Sequence, residues 1–143
     1  MKKIILAFTL LLGYSFCVAQ ISLPKTDPGS VSIPKDFVKP PAIGDVSKTT
    51  GGIVNDLSSK LSLPAAQKPQ LTDAIGGFLN QKKGIAGLAN TNPTDYLSKF
   101  SGLQKGLFGK MKGIMGATNF TKFLGLKPSG SGIGGNVLSN LFF

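Results

Sequence analysis

The chain has 143 residues, with 16 Lys against 6 Asp for a formal charge of +10, one Cys, and no Arg, Glu, His or Trp. Without His there is no imidazole base and no Ser-His-Asp or Cys-His pairing. One Cys cannot build a zinc site from the usual Cys and His ligands, and without Arg there is no bidentate guanidinium fork for phosphate or carboxylate. The composition points to a non-enzymatic surface, and no cofactor is expected.

Met1-Lys2-Lys3 is a short positive head, Ile4 to Phe16 is an apolar run, and Cys17-Val18-Ala19 places small residues before Gln20. This is the layout of a secretory signal peptide, and the run is too short to span a membrane comfortably. It resembles signal peptides common in Bacteroidota, where glutamine becomes the new N-terminus. Residues 1–19 are therefore expected to be cleaved near Ala19/Gln20, and the protein to be exported, either periplasmic or secreted. Cys17 fits a lipoprotein acceptor poorly, because Tyr14-Ser15-Phe16 lacks the aliphatic and small residues such a site requires. Cleavage at Gln20 also removes Cys17, which excludes disulfides from the mature chain. Losing the two leader lysines leaves a net charge of +8.

Residues 20–44 carry Pro24, Pro28, Pro34, Pro40 and Pro41. No apolar period survives that spacing, so the stretch reads as an extended Pro-rich arm or linker. It either holds the domain away from an attachment point or drapes over it through Val31, Ile33, Phe37 and Val38.

From Asp45 the periodicity becomes helical. Ile53, Val54, Leu57 and Leu61 share one helix face, with Asp45 or Ser47 as cap and Pro64 as stop. Leu71, Ala74, Ile75, Phe78, Leu79, Ile85 and Leu88 mark a second helix, which starts near Pro64 or, given Pro69, near Gln70. Asn90-Thr91-Asn92-Pro93 is a turn in which Asn92 or Thr94 caps the next helix. Tyr96, Phe100, Leu103, Leu107, Met111 and Ile114 form the clearest apolar stripe. Thr118 opens a short fourth helix with Phe120, Phe123, Leu124 and Leu126, which stops at Lys127-Pro128. The expected fold is all-α, a small antiparallel bundle of three to four helices over 45–127. A flexible Gly/Ser linker and apolar tail occupy 128–143.

Val137, Leu141 and Phe143 alternate like a final barrel strand, but a barrel needs about eight such strands. The tail is expected to dock on the bundle or to bind a partner.

Two regularities overlie this pattern. Residues 77–89 lie over 106–118, with Gly77, Lys83, Gly84, Ile85 and Gly87 matching Gly106, Lys112, Gly113, Ile114 and Gly116. Glycines 102, 106, 109, 113 and 116 also recur at intervals of four and three. Each interior glycine costs roughly 0.5–1 kcal/mol against alanine, so close packing against a neighbouring helix is the expected compensation. The Gly-rich run Gly130 to Gly135 lacks the Lys-Ser/Thr of a phosphate-binding loop.

Residues 96–143 contain six lysines and no acid. Lys99, Lys105, Lys110, Lys112 and Lys122 form the candidate cationic binding face, with Phe residues beside them. Its expected partners are unfolded or acidic envelope proteins or an anionic lipid surface. Export and the lack of Arg speak against nucleic acid, and no transmembrane segment is expected in the mature chain. The oligomeric state stays open.

Leu63-Pro64-Ala65-Ala66-Gln67 and Met115-Gly116-Ala117-Thr118-Asn119 resemble degenerate copies of the Leu-Thr-x-x-Gln motif of the periplasmic Spy/CpxP chaperone family. In that family the motif opens a helix. The resemblance implies a small, exported, basic, all-helical protein that binds unfolded clients. The alternative is a secreted membrane-active or self-associating cationic effector that acts through the glycine-spaced segment 96–126.

Overall fold

In the computed structural model, residues 37–143 are described. The expected signal peptide and the arm up to residue 36 lie outside that range. From Phe37 to Asp45 the chain has no regular structure, as its prolines require. Phe37 sets its ring edge-on against Tyr96, with centroids 6.2 Å apart.

Helix α1 spans Val46–Leu61. Its cap is Asp45, whose carboxylate accepts from the Lys48 N–H at 2.7 Å and satisfies one of the orphan donors of the first turn. Ile53, Val54, Leu57 and Leu61 are all buried, as their spacing predicts. The helix ends at Ser62, which takes the left-handed conformation (φ 51°) and donates its N–H to the Ser58 carbonyl. One 3-10 turn over Ala65–Gln67 leads into α2, Lys68–Ile85. Pro69 falls in the first turn of α2, where its missing N–H has no intrahelical partner to lose. The objection that proline raised for this segment therefore disappears.

The second helix stops at Ile85, short of the expected Leu88, and Leu88–Thr91 forms the separate short helix α3. Asn92 then caps α4, Pro93–Leu124, by accepting from the Asp95 N–H at 3.2 Å. The expected third and fourth helices are the two limbs of α4. They meet at Gly116, whose φ of 80° and ψ of 164° lie where only glycine is comfortable.

The class is all-α, with no strand among the described residues. Helix α2 packs against both α1 and α4. Ile53, Leu57, Leu71, Ile75, Leu79, Met111 and Phe123 form a continuous buried core.

The C-terminal segment differs from the expected flexible tail. Past the exposed Ser129–Gly135 run, Leu138 to Phe142 are buried and Ser139–Phe142 forms a short helix, α5. The Phe142 ring stacks on Phe123 at 5.0 Å and meets Phe108 edge-on at 5.8 Å. Leu138, Leu141 and Phe142 are spaced by three and one, a helical rather than an alternating pattern. That spacing lets all three face the core together.

Candidate functional site

Successive residues of an α-helix are about 100° apart. On α4 this turns Tyr96, Phe100, Leu107 and Met111 inward, and all four are buried. Gly102, Gly106, Gly109 and Gly113 fall within roughly 60° of one another on the opposite side, and all are exposed. A Cβ built on any of the four would meet nothing within 4 Å. The expected close packing of this stripe is therefore absent within the described chain. The glycines present bare backbone outward, and their cost in helix stability has no internal compensation.

The lysines border that strip. Lys99 and Lys110 lie on one side of it and Lys105 and Lys112 on the other, all exposed. Lys122 is exposed on the limb beyond Gly116, so it does not belong to either row. The one ion pair among the described residues is Lys60 with Asp56 at 3.0 Å, on α1. None of the α4 lysines has a carboxylate partner there.

The aromatic side chains expected beside these charges are not on the surface. Phe100 and Phe123 are buried, and Phe108 and Phe120 are half-buried in a cluster with Phe123. The large hydrophobic side chains left exposed among the described residues are Val38 and Leu124. The cationic face is thus lysine and glycine, without an apolar wedge.

A shallow groove follows the seam between α2 and α4. Its central cleft, of about 250 Å³, is lined by Ala74, Gly77, Gly102, Leu103 and Gly106, with Asp73 and Lys110 also on its wall. Two neighbouring clefts share Asp73 and Lys110, or Gln81 and Leu103, with it and extend it to Ile114 and to Lys99. The run from Lys99 to Ile114 is ~22 Å long at 1.5 Å per residue. Gly77 and Gly106, equivalent positions of the internal repeat, line the same cleft from opposite helices. Gly76 lies about 100° around α2 and faces Thr50 of α1 instead.

Charge patterning alone does not single out Lys82, yet it is only 1% exposed. Its ammonium donates to the main-chain oxygens of Asn140, at 2.8 Å, and of Phe143. It also lies 5.3 Å from the centroid of the Phe100 ring, a favourable cation–π distance. Burial pushes the ammonium pKa down to about 8. Two sequence signals mark the position. Lys82 continues the stripe of Leu71, Ile75 and Phe78, and the internal repeat equates it with Met111, a core residue. No family model matches this chain, and no curated protein or solved structure matches it.

Proposed function

We propose that the protein is an exported, non-enzymatic helical protein of the bacterial envelope that docks on an anionic envelope surface through α4. Export rests on the leader-like residues 1–19. In this reading the helices form a small antiparallel bundle carried on a Pro-rich arm.

The observation that carries the docking reading is the arrangement of Lys99, Lys105, Lys110 and Lys112. These four exposed cations border a strip of bare glycine backbone, with no carboxylate partner among the described residues. The strip allows a surface to approach the helix closely, and the flanking ammonium groups reach phosphate or carboxylate from both sides. The lack of exposed bulky apolar side chains on this face favours peripheral attachment over insertion. No described helix is long and apolar enough to cross a membrane. Binding to vesicles of anionic phospholipid, lost when these four lysines become glutamine, tests the reading. Dye release from the same vesicles would instead support the membrane-active effector.

The α2–α4 groove supports a second reading, a Spy-like chaperone that holds an unfolded segment against Ala74, Leu103 and Ile114. Suppression of client aggregation by the purified protein, abolished by Gly106→Leu, is its test. A protein that leaves aggregation unchanged contradicts it.

A further inference from the structure

The end of the arm and the C-terminal half of α2 enclose a cleft of about 280 Å³, at the small end of ligand-pocket sizes. Its walls are of two kinds. Pro41, Ile43, Ala86 and Ala89 make it apolar, while Lys39, Lys82 and Lys83 make it cationic, and no acidic residue lines it. Lys82 is the unusual member. An ammonium has three donors, and those of Lys82 have two acceptors, the main-chain oxygens of Asn140 and Phe143. Among the described residues no carboxylate approaches it. A buried charge without a counter-charge is costly, and an anion brought to it relieves that cost.

We propose that this cleft binds an amphipathic carboxylate. The carboxylate accepts the remaining Lys82 N–H and is flanked by Lys39 and Lys83, and a short hydrocarbon body lies on Pro41, Ile43, Ala86 and Ala89. This site is separate from the α4 lysine face and stands independently of it. Neutralising the Lys82 charge also reverses the desolvation that depresses its pKa, so ligand binding moves that pKa upward.

The test is calorimetric titration of the full chain with octanoate, using octanol and inorganic phosphate as probes of the apolar and charged halves alone. Octanoate is expected to bind saturably, at least ten-fold tighter than either control. Lys82→Met and the cavity-filling Ala86→Phe should each weaken it at least ten-fold. The Lys82 ammonium, followed by NMR, should titrate at higher pH when octanoate is bound. Ala86→Phe leaves the Lys82 contacts untouched and decides the matter if Lys82→Met does not fold. Octanoate affinity unchanged in Ala86→Phe, or equalled by octanol or by phosphate, overturns the proposal.

Discussion

The Lys82 ammonium donates to the Asn140 main-chain oxygen at 2.8 Å, joining positions 58 residues apart. Through this bond a buried side chain of α2 holds the C-terminal helix α5, whose own four residues are too few to be stable alone. The same bond gives the fold a dependence on pH. The Lys82 pKa is about 8 in the folded chain, against an ordinary 10.5. Between those values the unfolded chain binds more protons, so stability rises with pH. The penalty for burying the charge is complete below pH 8 and is relieved by roughly 3 kcal/mol in all as pH climbs. Burial acts oppositely on Tyr96, pushing its phenol well above the usual value. Tyr96 therefore contributes stability below about pH 10 that is lost above it. Urea denaturation from pH 7 to 11 should show stability climbing from pH 8 to a maximum near 10, and Lys82→Met should flatten the climb.

The tail contributes to the core. Leu141 is fully buried, and Phe142 stacks on Phe123. Leu141→Ala is expected to cost about 2–5 kcal/mol and Phe142→Ala about 3–5 kcal/mol, the range for large core truncations. Denaturant midpoints measure both. A loss below about 1 kcal/mol in each would show that α5 is not part of the folded unit.

Glycines of α4 should respond with opposite signs. At Gly106 and Gly113 an added Cβ meets nothing within 4 Å and the backbone is helical. Alanine at either site should therefore stabilise by about 0.5–1 kcal/mol. At Gly116, with φ of 80°, alanine should cost about 1–3 kcal/mol or straighten the kink. Thermal melts of the three single variants give the comparison directly.

The helices were legible because the apolar residues of α1, α2 and α4 recur at three and four and end at recognisable caps. Asp45, Asn92 and the Ser62–Pro64 corner are all visible as residue types. The halt at Ile85 was not, because Leu88 continues the spacing and only the flanking Gly84 and Gly87 oppose it. The outward direction of the glycine stripe was legible in principle. Its phase is opposite to Phe100, Leu107 and Met111, but the cost of exposed glycine argued for a neighbour. Lys82 was hidden for a physical reason. A charged residue is normally read as solvated, and here tertiary packing supplies carbonyl acceptors and an aromatic face from segments remote in sequence.

The lysine face should behave as a screened surface charge. Lys99 and Lys110 are ~16 Å apart along the helix, beyond a Debye length of about 8 Å at physiological salt. Each lysine therefore acts almost independently, and their contributions to binding should add. Single Lys→Gln changes at positions 99, 105, 110 and 112 are expected to weaken vesicle binding by similar factors, with little change in denaturant stability. One dominant position would indicate a discrete pocket instead.

The most direct measurement is co-sedimentation of the protein with vesicles of mixed neutral and anionic phospholipid, at low and at high salt. Docking through α4 predicts binding at low salt that falls steeply as salt rises. It also predicts loss of binding in the variant with Lys99, Lys105, Lys110 and Lys112 all changed to Gln, and no dye release. Absence of binding to anionic vesicles at low salt, or binding by the quadruple variant equal to that of the unaltered chain, would contradict it.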